Sequence, residues 1–302
     1  MFKSVKDQIW FFDCEWVPDT RTGRLLYGLP ADMPDADVML EMWRRGGATD
    51  DNPRPFLKTN LCRVVSVAAV MRRVSPPGTY ADPEDKVRLR LLWLPRNVDD
   101  PEASAEASVL TAFLGAVGRH KPQLVGFNSR CSDLKILVQR AFVNGLSLPE
   151  FCQRPEKPWE GVDYFAKDND ANIDLIDVLN GYSGKGQPSL NELAVSAGIP
   201  GKIGTTGDDV AGMWLGGQWR EIVQYNCFDA LTTYLVWLRT AHLGGFVTDD
   251  EYECEQMVLQ NMLMEEAEKP GMSFLDTYVD EWNRLQSAWP LPTVHQPLTT
   301  SH

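Results

Sequence analysis

The sequence predicts an α/β domain with a helical extension at its C-terminal end, and three observations carry that expectation. An aromatic-rich apolar run from Gln8 to Trp16 is followed by a valine-rich run, Leu61 to Arg72, and by Val87 to Leu94, where Arg and Leu alternate. Side chains alternate faces along a strand, so these three segments read as strands, and joined in sequence they form an antiparallel meander. Beyond them, helix-spaced segments alternate with short apolar runs and then take over the last third of the chain.

In order, the first run, Gln8-Ile9-Trp10-Phe11-Phe12-Asp13-Cys14-Glu15-Trp16, ends on two carboxylates one residue apart. The period of two aims Asp13 and Glu15 from the same face. Neighbouring anions repel unless a cation lies between them, so the pair reads either as part of a divalent-metal site or as the solvated acidic end of a strand. A long connection comes next, Pro18 to about Asn60, whose centre, Asp37 to Arg45, is expected to form one helix with Asp35 or Asp37 as N-cap. A connection of that length within a compact domain reads as an insertion near the site. Ser75-Pro76-Pro77-Gly78 begins a turn between the second and third strands.

Ala103 to His120 is helical, with Val109, Leu110, Phe113, Leu114 and Val117 on one stripe. Gln123 to Phe127 is a short buried strand, and Ser132 to Asn144 a helix with Ser132 as N-cap. Ile173 to Leu179 begins as strand and ends as helix. Further helices are expected over Leu190 to Ala197, Asp208 to Leu215, Trp219 to His242, Asp249 to Glu268 and Ser273 to Ser287, with Gly198, Gly216-Gly217 and Gly244-Gly245 as stops. The tail from Pro290 reads as disordered. The expected organisation is one domain over 1–245 with an insertion at 18–60, a helical extension over 246–289 and a tail over 290–302.

At 302 residues, with 43% hydrophobic and 24% charged residues, the chain can bury a full core. No apolar run approaches the roughly 20 residues that span a bilayer, and the first residues lack a leader's hydrophobic stretch; a cytoplasmic protein with no membrane partner is expected. Six scattered cysteines without a CxxC argue against zinc and against a disulfide framework. A formal charge of −13 argues against a general nucleic-acid coat protein, since phosphate binding is dominated by Lys and Arg. It leaves room for an enzyme that meets phosphates through bound metal and a local basic rim.

Two more acids stand where the opening pair would need partners. Asp133 comes after the turn Asn128-Ser129-Arg130-Cys131 on the first turn of a helix, where the helix dipole favours an ionised carboxylate; plain capping is the alternative reading. In Tyr225-Asn226-Cys227-Phe228-Asp229 the spacing of four puts Tyr225 and Asp229 on one helix face. Flanking Ile222, Leu231, Leu235 and Leu238 turn that face inward, where an unpaired carboxylate is costly and a metal would supply the partner.

Together these segments resemble the DEDD superfamily of 3′-5′ exonucleases, in the subclass with a Tyr four residues before the last Asp. The resemblance is to the bacterial family of predicted 3′-5′ exonucleases related to the proofreading domain of family-B DNA polymerases. It also takes in Asp174-Leu175-Ile176-Asp177-Val178-Leu179, Ser189-Leu190-Asn191-Glu192-Leu193-Ala194 and Gly198-Ile199-Pro200-Gly201-Lys202, so it runs from about residue 8 to 240. Departures are Ser132, where the family places an aromatic residue, Cys14 between the first two carboxylates, and the expanded segment 18–60. The resemblance implies an RNase H-like mixed sheet flanked by helices, with Asp13, Glu15, Asp133 and Asp229 holding two Mg²⁺ or Mn²⁺ ions and Tyr225 orienting the attacking water.

The implied reaction is metal-dependent release of nucleoside 5′-monophosphates from 3′ ends of single-stranded DNA. An exoribonuclease, or a catalytically weak nucleic-acid- or protein-binding module of the same fold, is the alternative. Trp16 and Phe127 are candidates to stack on bases, although both also suit a core. Asn128 either contacts the sugar or braces its turn, and Arg130, Lys135, Lys185 and Lys202 are candidate phosphate contacts or plain surface residues. Asp174 and Asp177 are expected to be structural. No feature of the sequence names a protein partner.

Overall fold

The computed structural model describes residues 2–157, 159–166, 170–181, 186–204 and 207–288; Lys185 and the tail expected to be disordered lie outside them. In chain order the elements are β1 (Gln8–Pro18), α1 (Thr20–Tyr27), α2 (Asp35–Arg45), β2 (Cys62–Val74), β3 (Val87–Leu94), α3 (Glu106–His120), β4 (Gln123–Gly126), α4 (Asp133–Val143) and α5 (Pro149–Cys152). The remainder are β5 (Asn172–Asp174), α6 (Leu175–Asn180), α7 (Leu190–Ser196), α8 (Val210–Leu215), α9 (Trp219–Leu243), α10 (Asp249–Ala267) and α11 (Phe274–Ala288).

The five strands form one mixed sheet in the order β3-β2-β1-β4-β5. β1 to β3 are the expected antiparallel meander, and β4 and β5 add parallel to the other edge of β1. Helices cover both faces, as expected for an RNase H-like α/β domain. β1 lies in the middle because its residues can be buried on both sides: Ile9 and Phe11 enter the core under α9, while Trp10, Phe12 and Cys14 enter the core under α3 and α4. Opposite its centre, β2 carries the small residues Ala68 and Ala69, paired with Asp13 and Phe12, which leaves space for the large or charged side chains of β1.

The 25-residue α9 has hardly a solvent face: Leu231, Tyr234, Leu235, Trp237 and Leu238 are all buried. It is sandwiched between the sheet and the C-terminal pair α10 and α11, which share its core. A buried ion pair ties α10 to the sheet: Arg72 of β2 meets Glu255 at 2.5 and 2.9 Å, with the two side chains 5% and 4% exposed, and the Tyr234 hydroxyl donates to Glu255 at 3.0 Å.

The segment 18–60 departs from the single helix expected there. Two helices form, α1 and α2, with Asp19 capping the first through Thr22 N–H. α1 hides from periodicity because its inward position is Gly23, where a Cβ would lie 2.5 Å from the Met42 sulfur of α2. α2 starts at Asp35 with Pro34, not an Asp, at its N-cap. At α4, Ser132 occupies the N-cap position but does not cap through its side chain; its hydroxyl lies 2.8 Å from the Asn128 carbonyl and 2.6 Å from Asp133 Oδ2, drawn there by the tight turn before the helix. All six cysteines are free thiols. No helix among the described residues is long and apolar enough to cross a membrane.

Candidate active site

Strand periodicity delivers Asp13 and Glu15 to the α9 side of the sheet, continuing the row Ile9, Phe11. Just past Glu15 the pairing with β2 slips: Glu15 faces Ser66 but Trp16 faces Val64, leaving Val65 as an extra residue. Such a bulge bends the strand pair locally and re-aims side chains beside a site. It is held by a buried charge cluster. Glu106 accepts from Val64 N–H at 2.7 Å and from Arg140 at 2.7 Å through both oxygens, and Arg140 also reaches Asp19 at 2.8 Å.

From above, α9 supplies Tyr225, Asn226 and Asp229, the residues that one turn of helix aligns. Ligand oxygens of Asp13, Glu15 and Asp229 all lie within 4.8 Å of one another. Asp133, at the first turn of α4, stands beside this group; its Oδ1 accepts from the Cys14 N–H at 3.1 Å and from the Cys14 thiol at 3.2 Å. Four distant acids therefore meet, three in direct reach of one ion and the fourth turned partly toward the β1 backbone. Tyr225 lies within hydrogen-bonding reach of Asp229. A cleft of about 520 Å³ opens over Asp13 and Asp229, with Phe127, Asn128, Lys202 and Tyr225 also in its lining, while Glu15 and Asp133 lie buried behind it.

The electrostatics are those of a site short of positive charge. Burial pushes the Asp13 carboxyl well above the ordinary carboxylate range; the charges of Asp133, Asp229 and Glu15 push the same way, and the Asn226 amide, donating at 2.7 Å, opposes them. Burial likewise raises Glu15, helped by Asp229 and Asp133 and opposed by Lys202. Asp229 is pushed up to about 6 by burial, against the Tyr225 hydrogen bond and the Lys202 charge. Asp133 is raised by burial despite its hydrogen bonds from Ser132 and Cys14. The Tyr225 phenol is pushed far up, first by burial and then by the acids around it, so it stays protonated at neutral pH.

Other expected site residues fall into two groups. Phe127 and Asn128 line the cleft, Phe127 half-buried against the core and Asn128 exposed with φ of +59°. Trp16 and Arg130 do not line it: Trp16 stacks edge-on against Phe56, with ring centroids 5.1 Å apart, and Arg130 pairs with Asp177 at 3.4 Å. Lys135 is exposed on α4, and Lys202 sits at the cleft rim. Asp174 and Asp177 act as braces. Asp174 accepts from the backbone N–H groups of Asn128 at 2.7 Å, Arg130 at 2.9 Å and Ile176 at 3.2 Å, and so shapes the turn that leads into Asp133.

Sequence reasoning missed the supports of the acids. Asn226 holds Asp13 and is itself held by the Ser66 hydroxyl at 2.9 Å. Its place three residues before Asp229, on the same helix face, was the available signal. The Cys14 contact to Asp133 had none, because it joins residues 119 apart across two elements.

Three clustered carboxylates with raised affinity for protons fit a hard divalent cation, which takes oxygen ligands and relieves their repulsion. Ligand oxygens within 4.8 Å of one another are close enough for all three side chains to serve a single ion. A family model, described as a predicted 3′-5′ exonuclease related to the exonuclease domain of PolB, matches residues 54–282, and the chain belongs to that family. Its enzyme class is therefore exonuclease. The match takes in Asp133, Tyr225 and Asp229 and begins after β1, which carries Asp13 and Glu15. No curated protein matches the chain. Among solved structures, 69 chains match. One, the family B DNA polymerase from the hyperthermophilic archaeon Pyrobaculum calidifontis, aligns with a TM-score of 0.45 and 14% identity over 78% of this chain and 25% of the polymerase. The chain thus spans about a quarter of that polymerase's length.

Proposed function

We propose that the chain hydrolyses the terminal phosphodiester at 3′ ends of single-stranded DNA, releasing nucleoside 5′-monophosphates. The observation that carries this reading is the cluster of Asp13, Glu15 and Asp229 oxygens within 4.8 Å, open to a cleft through Asp13 and Asp229, in a chain of an exonuclease family. DNA is favoured over RNA because the family is described as related to a DNA polymerase's exonuclease domain.

Asp13, Glu15, Asp133 and Asp229 would hold two divalent cations, Mg²⁺ or Mn²⁺. When bound, such ions lower the pKa of water and neutralise charge on the phosphate and the leaving oxygen. Water attacks phosphorus, the bond from phosphorus to the 3′ oxygen breaks, and that oxygen leaves with a proton as the new 3′-hydroxyl. Tyr225 is the wrong group for a base, since burial keeps its proton on. Its hydroxyl donates to Asp229, which leaves its lone pairs to accept from the attacking water and orient it. Asn226 keeps Asp13 in place by one hydrogen bond, and Ser66 fixes the amide. Phe127 at the cleft wall offers a face for the terminal base, and the Lys202 charge at the rim favours an approaching phosphate.

The test uses 5′-labelled and 3′-labelled oligodeoxynucleotides with Mg²⁺, Mn²⁺ or EDTA, and an RNA competitor of the same sequence. Stepwise 3′ trimming that needs metal and vanishes in an Asp13→Asn/Glu15→Gln double variant supports the reading. Metal-independent trimming, trimming that survives in that variant, or preference for RNA defeats it in the corresponding part.

A further inference from the structure

The other face of the sheet, away from the acids, carries a second feature that the proposed chemistry does not use. Across β1, β2 and β3 a groove of about 570 Å³ is lined by Gln8, Trp10, Arg73, Arg88, Arg90 and His120 among others. No carboxylate lines it, in a chain whose net charge is −13. Neither Asp7 nor the Glu84-Asp85 pair, the nearest acids along the chain, contributes. Arg73, Arg88 and Arg90 are exposed and make no ion pair among the described residues.

Placement of the three arginines is informative. Arg88 and Arg90 are two residues apart on one face of β3, roughly 6.7 Å along the strand. Arg73 on β2 is the register partner of Arg88, and Arg90 is that of Met71. Like charges directly opposite on neighbouring strands destabilise a sheet, so the pairing costs the folded chain something. Edge protection does not account for it. Charge on the edge strand β3 would suffice to block sheet-to-sheet pairing, and Arg73 lies on an interior strand. The pairing makes sense if an anion bridges the two guanidiniums, which match phosphate oxygens in fork geometry.

We infer that this groove binds the phosphodiester backbone of nucleic acid, as a contact separate from the acidic site. Two arginines along β3 and one across from them form a short track rather than a point, which suits successive phosphates of an extended strand. Asp13 is five residues on from Gln8 and faces the opposite side, about 17 Å away along β1, so the groove engages a part of the strand remote from the hydrolysed end. The inference rests on nucleic acid being the substrate polymer, but not on hydrolysis taking place.

Two measurements separate them. Fluorescence anisotropy with a labelled 20-nucleotide single strand in EDTA reads binding without turnover, for wild type, Arg73→Gln/Arg88→Gln/Arg90→Gln and the corresponding triple Lys variant. Release of p-nitrophenol from p-nitrophenyl thymidine 5′-phosphate, with Mn²⁺, reads the acidic site without a strand. Loss of three phosphate contacts predicts that the salt slope of log K falls by about two, at about 0.7 per contact, with affinity at least tenfold weaker at 0.1 M salt and restored by Lys. Small-ester hydrolysis stays unchanged. Equal affinity and slope in wild type and the Gln variant overturn the inference. So does a wild-type dimer in sedimentation that the Gln variant loses while its DNA binding persists, since the groove would then serve a second acidic copy. A wild type that binds DNA through the groove but leaves the small ester intact defeats the proposed reaction instead.

Discussion

Replacing Asp229 by Asn removes a charge and keeps the shape, and the environment of this carboxyl sets the size of the effect. The Asp229 carboxyl is held near 6, against an ordinary value of 3.8, because burial and the Asp133 charge disfavour its ionised form. A folded-state pKa above the unfolded one contributes stability that is fully present below about pH 4 and is lost as pH rises through about 6. At about 1.4 kcal/mol per pH unit, the metal-free protein at pH 8 carries a penalty of about 3 kcal/mol from this group. Asn carries none and still accepts the Tyr225 hydroxyl. Asp229→Asn should therefore raise the melting temperature in EDTA at pH 8 by roughly 6 °C and change it little at pH 4. Mg²⁺ at a hundred times its dissociation constant should stabilise wild type by about 2.7 kcal/mol and leave the variant unmoved. Thermal unfolding by circular dichroism at pH 4, 6 and 8, with EDTA or Mg²⁺, reads all of this. A variant less stable than wild type at pH 8 in EDTA, or one stabilised by Mg²⁺ as wild type is, would refute the reasoning.

Other substitutions test neighbouring parts of the site and its supports. Tyr225→Phe should fold normally and lose about 10²–10³ in kcat with KM little changed, since a buried, protonated hydroxyl orients water without binding the strand; a loss confined to KM would contradict it. Arg140→Met leaves Asp19 and Glu106 buried without their cation and should cost about 3–5 kcal/mol in urea unfolding, whereas a cost under 1 kcal/mol would show the cluster to be dispensable. Gly126→Ala would put a Cβ 2.4 Å from that of Ser129 and should disturb the turn that leads into Asp133, lowering both stability and cation-dependent activity together. Cys14→Ala removes the thiol donor to Asp133 but keeps the backbone one; about 1 kcal/mol of stability should go, with activity retained.

How legible the fold and site were depended on the range of the interactions involved. β1, β2, β3 and α3 could be read because half-buried strands and helices alternate in sequence as they do in space. α9 was legible as a helix, and its buried Tyr225 and half-buried Asp229 as one face, from the spacing of four. α1 was not, because its inward contact is a glycine packed against Met42. The acids could be named, since their unpaired charge stands out in apolar segments, but their supports could not. Asn226 on Asp13 and Cys14 on Asp133 depend on the β1, α4 and α9 crossings, which no local pattern encodes. Arg130 and Trp16 stand near the acids in sequence, which makes them candidate substrate contacts as well as surface and core residues; in space each has another partner, Asp177 and Phe56. The arginine track stayed hidden because Arg73 and Arg88 meet only through the register of β2 and β3.

The proposed chemistry needs one pocket that captures divalent cations, and anomalous scattering from a crystal soaked in Mn²⁺ addresses it most directly. A strong peak coordinated by oxygens of Asp13, Glu15 and Asp229, absent after Asp229→Asn, is the predicted result. Manganese bound elsewhere with this cluster empty at millimolar concentration would contradict it.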